Sequence, residues 1–218
     1  RVLIEEEIPE DTKLLALLTT FQEKGEAQLG VVIGSADARF IGERKIVRNT
    51  ETNLGNLACA AYMDKTRADL AVMNSGGIRD DLPAGDITYK DVLKVKPFGN
   101  SVCTVTMTGA ELLEYLTVAV NKEKDTGAFA QFVGVKITMT GDKPIDVQVQ
   151  GKPLVADQQY KLVSESYIAS GGDGYPKVND HPNFVDTGYL DADVLREYIA
   201  NNSPLKAANY APTNDVVR

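Results

Sequence analysis

A glycine-rich segment, Gly-Gly-Asp-Gly-Tyr-Pro at residues 171–176, carries the clearest chemical signal in the sequence. Glycine permits backbone conformations with positive φ and lets a ligand approach the main chain closely. The segment encloses one acid, Asp173, and an aromatic residue, Tyr167, lies four residues before its first glycine. The Asp173 carboxylate could accept hydrogen bonds from two adjacent hydroxyl groups, or it could stabilise its own turn. With Tyr167 nearby, the pattern suggests recognition of a planar, hydroxylated ligand.

Other segments of the sequence carry side chains that could bind a ligand: an aromatic ring, an amide and several guanidinium groups. Phe98 lies in a Pro-Phe-Gly-Asn turn, where its ring could stack on a base or pack beneath the loop. Asn100 could contact a base edge or serve ordinary turn chemistry. Arg79 follows a pair of glycines and could hold a phosphate or carboxylate, or form a surface ion pair. Arg44 and Arg48 form a short basic patch, which is either part of the same surface or simply solvated.

The sequence contains few residues that could catalyse hydrolysis without a further domain. His181 is the single histidine, and it stands beside a proline in a polar loop. A zinc or dinuclear metal site normally draws on several histidines and carboxylates, and a Ser-His-Asp arrangement would have to use His181. The chain is therefore predicted to bind a ligand rather than to cleave one. Two alternatives stay open: an autonomous enzyme that uses acidic residues with a metal, and an interaction module whose glycine loops are only structural.

Composition narrows the classes of partner. The chain has 218 residues and a net charge of -8, from 31 acidic and 23 basic residues. An acidic chain without a basic run is not expected to bind nucleic acid. No apolar stretch is long enough to span a membrane. The chain starts at Arg1 without a signal-peptide pattern, so it is expected to be a mature product or an excised piece.

The cysteines and the periodicity of apolar residues predict the fold class. Cys59 and Cys103 are expected to be buried thiols, although an oxidising compartment would allow one disulfide. Helices are predicted at 11–25 with Asp11 as N-cap, from residue 52 or 53, after Thr88, after a Thr108 capping box, and from residue 191. Strands are predicted at 31–33, 70–73, 102–107, 133–139, 145–149 and 160–166. This irregular mixture predicts one α+β domain rather than a doubly wound sheet.

Five motifs in fixed order carry a family resemblance over essentially the whole chain. They are Thr-Asn-Leu-Gly at 52–55, Asn-Ser-Gly-Gly-Ile-Arg at 74–79, Pro-Phe-Gly-Asn at 97–100, Thr-Gly at 126–127 and the segment 171–176. Together they resemble the C-terminal domain of the bacterial periplasmic 5'-nucleotidases, which also act as UDP-sugar or NAD hydrolases. The resemblance implies mixed β-sheets layered with helices in a four-layer α/β/β/α sandwich, and a periplasmic location.

The resemblance also implies a division of labour between two domains. A metallophosphoesterase domain, absent from this chain, would hold two divalent metal ions such as Zn, Mn or Co and the catalytic residues. Residues 1–10 would be a linker, residues 11–25 the interdomain connector helix, and residues 26–218 the substrate-binding domain. This chain would then bind no metal and be inactive alone, with a nucleotide and the N-terminal domain of the same polypeptide as its partners.

Motif by motif, the resemblance implies a role for each candidate residue. Phe98 and Tyr167 would sandwich the base, although the family commonly has Phe at the position of Tyr167. The remaining roles would be base-edge contact by Asn100 and Asn74, ribose binding by Asp173, phosphate binding by Arg44, Arg48 and Arg79, and a close backbone approach at Gly127. These groups serve a base, a ribose and a phosphate, so AMP, UDP-sugars and NAD are not distinguished.

Overall fold

The computed structural model describes residues 11–218, apart from the side chains of residues 23, 24 and 26–28. The predicted linker at residues 1–10 lies outside the described residues. Helices in the described part run Thr12–Leu29 (α1), Arg44–Val47 (α2), Asn53–Thr66 (α3), Tyr89–Val95 (α4), Gly109–Val120 (α5), Ser166–Ala169 (α6) and Asp191–Asn202 (α7). Short 3₁₀ turns occupy Ser75–Gly77, Gly172–Gly174 and Ala207–Tyr210.

The strands of the described residues form three sheets. They run Val32–Ala36 (β1), Leu70–Asn74 (β2), Gly85–Thr88 (β3), Ser101–Thr108 (β4), Ala130–Val133 (β5), Val135–Thr140 (β6), Lys143–Val149 (β7), Lys152–Pro153 (β8), Gln159–Glu165 (β9), Phe184–Leu190 (β10) and Val216–Val217 (β11). The central sheet has the order β10-β4-β9-β2-β5, in which β2 and β9 are parallel and the other pairs antiparallel. A second sheet has the order β11-β6-β7-β8, and β1 pairs with β3.

Two apolar clusters cover the two faces of the central sheet. Side chains of a strand alternate between faces, so Ala71 and Met73 of β2 join a cluster with α3, α4 and α7. Leu70 and Val72 of the same strand join a cluster with α5 and the second sheet. Both faces of β2 are thus buried, as expected for a continuous apolar run. Mixed sheets covered by helices in one domain confirm the predicted α+β class.

Threonine caps fix where several helices begin. Thr88 and Thr108 each form a capping box, in which the hydroxyl accepts the N–H of the third helical residue and that residue's carboxylate accepts the N–H of the cap. Thr52 accepts the N–H of Gly55 at the start of α3. Asp11 caps α1 by accepting the N–H groups of Lys13 and Leu14. These starts agree with the sequence-based predictions, because the caps satisfy otherwise unpaired backbone donors.

Other boundaries differ from the predictions. Helix α1 continues through Gly25 to Leu29 instead of ending at the glycine. The strand predicted at 133–139 is two strands, because Gly134 with φ +82° breaks it. The strand predicted to lead into Tyr167 ends at Glu165, and Tyr167 lies in α6. Strand β10 was not predicted, because most of its side chains are exposed and show no apolar alternation.

Cys59 and Cys103 are free, buried thiols, as predicted. They belong to different apolar clusters on opposite faces of the central sheet. Burial raises the pKa of the Cys103 thiol to about 11, and it raises the pKa of Cys59 further. Neither thiol is therefore a ready nucleophile. Among the described residues, no helix is both long and apolar enough to cross a membrane.

Candidate functional site

One edge of the central sheet gathers the predicted residues around a cleft. The parallel strands β2 and β9 end side by side at Asn74 and Glu165, and the antiparallel β4 begins at the same edge, next to Asn100. Loops leaving this edge bring in the rest. The cleft has a volume of about 400 Å³ and is lined by Arg48, Asn74, Gly76, Gly77, Arg79, Phe98, Asn100, Gly127, Glu165, Tyr167 and Asp173. Eight of the nine predicted residues therefore line one cleft, and Arg44 is the exception.

Asp173 is held by two of the other predicted residues. The Tyr167 hydroxyl donates to Asp173 Oδ1 at 2.9 Å, and Asn74 Nδ2 donates to Asp173 Oδ2 at 2.8 Å. The hydrogen bond to Asp173, with partial burial, raises the pKa of Tyr167. Asp173 adopts φ +53°, a region in which Asp is enriched among non-glycine residues. Each carboxylate oxygen keeps a free lone pair for a further donor, such as a ligand hydroxyl.

Two glycines allow the close approaches that shape the cleft. A Cβ at Gly172 would lie 2.6 Å from the Tyr167 carbonyl oxygen and 2.7 Å from its ring, so only glycine lets the loop pass over Tyr167. The Gly76 N–H donates to the Gly127 carbonyl at 2.8 Å, and a Cβ at Gly76 would lie 3.0 Å from the Gly127 Cα. Gly127 also packs near Asp173, since a Cβ on it would lie 3.6 Å from Asp173 Oδ2.

The aromatic rings of the cleft are open to solvent. Phe98 is 58% exposed and Tyr167 is 46% exposed, although both line the cleft. Large aromatic rings are normally well covered in folded chains. The alternative in which Phe98 is a plug beneath its loop is therefore wrong: the ring projects outward. The Arg79 guanidinium lies 5.4 Å from the Phe98 ring centroid, a cation–π distance that helps to hold both groups.

The arginines create a concentrated positive charge beside the rings. Arg48 is 8% exposed. Its pKa is lowered mainly by burial and, to a smaller extent, by repulsion from Arg44 and Arg79. Arg48 Nε is buried without a hydrogen-bond partner in the described residues. Arg44 lies one turn earlier on α2, is exposed, and does not line the cleft. A buried guanidinium donor with unspent capacity, next to a second guanidinium, is suited to an anion.

A buried ion pair beneath the cleft was not predicted from the sequence. The Lys96 ammonium contacts Glu165 Oε1, and Lys96 and Glu165 are 1% and 0% exposed. Tyr62 donates to the same oxygen at 3.0 Å, whereas Asn100 Nδ2 donates to Glu165 Oε2 at 3.5 Å. Lys96 also lies 3.1 Å from Met73 Sδ. Lys96 lies close to Lys94 and Glu165 lies between two serines, so neither charge interrupts an apolar run that would indicate burial, and the pair joins residues 69 positions apart.

A second buried acid lies next to this pair. Burial raises the pKa of Asp191 to about 6, with nearby Lys96 opposing the rise and Glu165 adding to it. The Asp191 N–H donates to the Asn100 carbonyl at 2.9 Å. Because the folded-state pKa lies above the ordinary 3.8, the ionised carboxylate destabilises the fold above pH 6. That cost is relieved as the pH falls from about 6 to about 4.

A larger cavity of about 580 Å³ lies elsewhere and contains none of the predicted residues. Its lining mixes acids and bases, among them Glu51, Lys122, Asp142 and Arg218. The Glu51 carboxylate is already occupied, since it accepts the N–H groups of residues 213–215 in the C-terminal segment. We take the smaller cleft as the candidate site, because its unspent donors and exposed rings are suited to a ligand. In residues 11–218, no group of three or more His, Cys, Asp and Glu residues could hold a metal.

Comparison with known proteins identifies the family. Residues 32–180 match the model described as "5'-nucleotidase, C-terminal domain". The chain belongs to this family. It is 48% identical over 217 residues to a 5'-nucleotidase of Vibrio parahaemolyticus and 45% identical over 216 residues to protein UshA of Escherichia coli. These matches cover 100% and 99% of the chain.

Solved structures agree with the family assignment. The chain superimposes on a 5'-nucleotidase precursor of Thermus thermophilus with a TM-score of 0.77 and 31% identity, covering 96% of this chain and 42% of that one. The NAD nucleotidase of Haemophilus influenzae shares the fold at a TM-score of 0.73 and 20% identity, covering 95% and 41% of the two chains. The chain spans 39% of the length of the Vibrio and Escherichia relatives, and it corresponds to their C-terminal domain.

Proposed function

We propose that the cleft binds the nucleoside part of a nucleotide, for hydrolysis by a separate domain of the same polypeptide. The observation that carries this proposal is the convergence of two exposed rings, a carboxylate and two arginines on one cleft. Phe98 and Tyr167 would stack on the base, and Asp173 would accept the ribose hydroxyls. Base stacking contributes about 1–3 kcal/mol per base, so the rings could provide much of the ground-state affinity.

Arg48 and Arg79 would orient the phosphate. The buried Arg48 Nε without a partner supports this role, because an anion would satisfy it. Arg44 would add long-range attraction from the rim, since it is exposed and close enough to affect Arg48. Held in this way, a phosphate would be positioned for a metal-bound nucleophile, and binding would be converted into orientation.

The chemistry would lie outside this chain. We propose that a metallophosphoesterase domain supplies two divalent metal ions, such as Zn, Mn or Co, and the catalytic groups. Helix α1 would connect the two domains, and the whole protein would act in the periplasm. The names of the relatives, which include 5'-nucleotidases and UshA proteins, support a nucleotide substrate. The groups of the cleft bind a base, a ribose and a phosphate, so they do not distinguish AMP, UDP-sugars and NAD from one another.

Binding to the chain itself tests the proposal. Wild-type chain is titrated with adenosine and with AMP into the millimolar range by calorimetry or tyrosine fluorescence. We expect saturable binding that Phe98→Ala weakens about 5- to 150-fold, the equivalent of one stacking contact. Tyr189→Ala removes an exposed ring outside the cleft and is the matched control. Absence of saturable binding by the wild type contradicts the proposal and favours an interaction module.

Activity measurements test the alternative that this chain is an autonomous enzyme. The purified chain is incubated with AMP and Zn, Mn or Co ions, and released phosphate is measured. We expect no turnover by the chain alone. Turnover that requires an acidic residue of this chain would contradict the assignment of catalysis to another domain.

A further inference from the structure

Beneath the cleft, the Asn100 side chain lies near two buried acids, Glu165 and Asp191. Asn100 Nδ2 donates to Glu165 Oε2 at 3.5 Å, and the same amide helps to stabilise the ionised Asp191 carboxyl. An ionised carboxylate accepts hydrogen bonds and cannot donate them. The NH₂ end of Asn100 is therefore directed inward, and its carbonyl oxygen Oδ1 is left for the cleft that Asn100 lines.

Lys96 and Tyr62 leave one oxygen of Glu165 for Asn100. The side chains of Lys96 and Glu165 are both fully buried. The Lys96 ammonium contacts Oε1, and the Tyr62 hydroxyl donates to the same oxygen at 3.0 Å. Oε2 then remains an acceptor for Asn100.

Crowding restricts movement of the pair. A Cβ at Gly77 would lie 2.9 Å from Glu165 Oε2, 3.2 Å from Lys96 Nζ and 3.4 Å from Asn74 Oδ1. Gly77 lines the cleft, so these polar groups lie directly under its floor. Asn74 lies differently, because its Nδ2 donates to Asp173 and its Oδ1 is buried beside these groups without a partner among the described residues. Asn100 is therefore the asparagine whose amide oxygen is left for a ligand.

We propose that Lys96 and Glu165 form a positioning pair that fixes the Asn100 amide with its oxygen toward the cleft. The site then selects bases that present an N–H donor over isosteres that lack one. This inference rests on the proposed nucleoside-binding function, and it adds a selectivity that the ring stacking cannot supply. Stacking depends on the π-face that every base has, whereas a fixed acceptor distinguishes an amino group from a hydrogen atom.

Adenosine and purine riboside test the selectivity, because they share ring and ribose and differ only in the exocyclic amino group. The dissociation constants of both are measured with the wild-type chain. We expect about 3- to 10-fold tighter binding of adenosine, the usual net value of one hydrogen bond. Asn100→Ala should bring this ratio close to one.

The double variant Lys96→Met/Glu165→Gln tests the positioning pair itself. It removes both charges, and the introduced glutamine amide can either donate to Asn100 or accept from it, so the ratio should fall to about 2-fold or less. Lys65→Met/Glu197→Gln makes the same changes at an exposed ion pair and should leave the ratio unchanged. The side-chain amide protons of Asn100, followed by NMR in the ligand-free chain, should lose their exchange protection only in the buried double variant.

The outcomes are distinguishable. If the wild type binds neither nucleoside, the proposed function fails and this inference fails with it. If the wild type binds both equally, or if the folded double variant keeps the full preference for adenosine, only the positioning role is overturned. Circular dichroism of each variant establishes that it is folded. Should Lys96→Met/Glu165→Gln not fold, Gly77→Ala provides the second test, because it crowds the same groups and should also lower the ratio.

Discussion

The buried Lys96–Glu165 pair allows a quantitative prediction that does not depend on any ligand. In Glu165→Gln, the Lys96 ammonium would stay buried without its directly contacting carboxylate, beside Met73 Sδ at 3.1 Å and the Tyr62 ring at 5.7 Å, with Asp191 as the nearby acid. Removing one partner of a buried pair typically costs about 3–5 kcal/mol, because a charge is left uncompensated. For a chain of this size, we expect a melting temperature lower by about 6–20 °C.

Replacing both partners should restore most of that loss. Lys96→Met/Glu165→Gln removes the stranded charge and substitutes an unbranched side chain of similar length. Exchanges of buried pairs for uncharged groups are often neutral or stabilising, so we expect unfolding free energy within about 1 kcal/mol of the wild type. Urea and thermal unfolding, followed by circular dichroism at neutral pH, measure all four members of the cycle.

The exposed Lys65–Glu197 pair, with its atoms 2.7 Å apart, is the matched control. Its side chains are 27% and 52% exposed, so solvent screens the charges and Glu197→Gln should cost far less stability than Glu165→Gln. If Glu165→Gln costs no more than this control, the buried charge pair does not stabilise the fold. If the double variant is as unstable as Glu165→Gln, the loss does not come from an unpaired charge.

Three further predictions concern the acid beside the pair and the loop over Tyr167. Asp191→Asn should stabilise the fold by on the order of 3 kcal/mol at pH 7.5, where the folded wild type carries the buried carboxylate. This advantage should fall toward zero near pH 4, and an advantage independent of pH in urea unfolding would contradict the raised pKa. Gly172→Ala should weaken adenosine binding at least tenfold while the chain stays folded, because its Cβ would displace Tyr167; unchanged affinity would mean that the loop adjusts freely. Tyr167→Phe keeps the stacking ring and loses the 2.9 Å bond to Asp173, so calorimetry should show only a roughly 2- to 10-fold loss. A loss clearly above about 10-fold would assign much of the affinity to the hydroxyl instead.

Local signals in the sequence were sufficient for much of the fold. The acidic residues three positions after Thr88 and Thr108 indicate that helices begin there. The unbroken apolar run of β2 indicates that both of its faces are buried. Strand β10 gave no such signal, since an exposed edge strand needs no apolar alternation. Tyr167 was misplaced because the change from β9 to α6 at Ser166 carries no proline or glycine.

Part of the cleft was predicted from sequence motifs rather than from local signals of secondary structure. Phe98, Asn100, Asp173 and six further residues were predicted from motifs that resemble those of a known family. In the structure, the ends of the strands bring eight of these nine residues together. Lys96 and Glu165 were not predicted, because Lys94 near Lys96 and the serines on either side of Glu165 are equally typical of surface residues. Only the fold places the two side chains in contact across 69 residues of sequence.

An NMR map of adenosine binding shows most directly whether the cleft is a nucleoside site. Amide shifts of the ¹⁵N-labelled chain are followed during titration, with the larger cavity as an internal control. Saturable shifts are expected to centre on Gly76, Gly127 and Asp173, with Asp142 and Arg218 unaffected. Shifts that centre on the larger cavity, or no saturable shift at millimolar adenosine, would contradict a nucleoside site in the cleft.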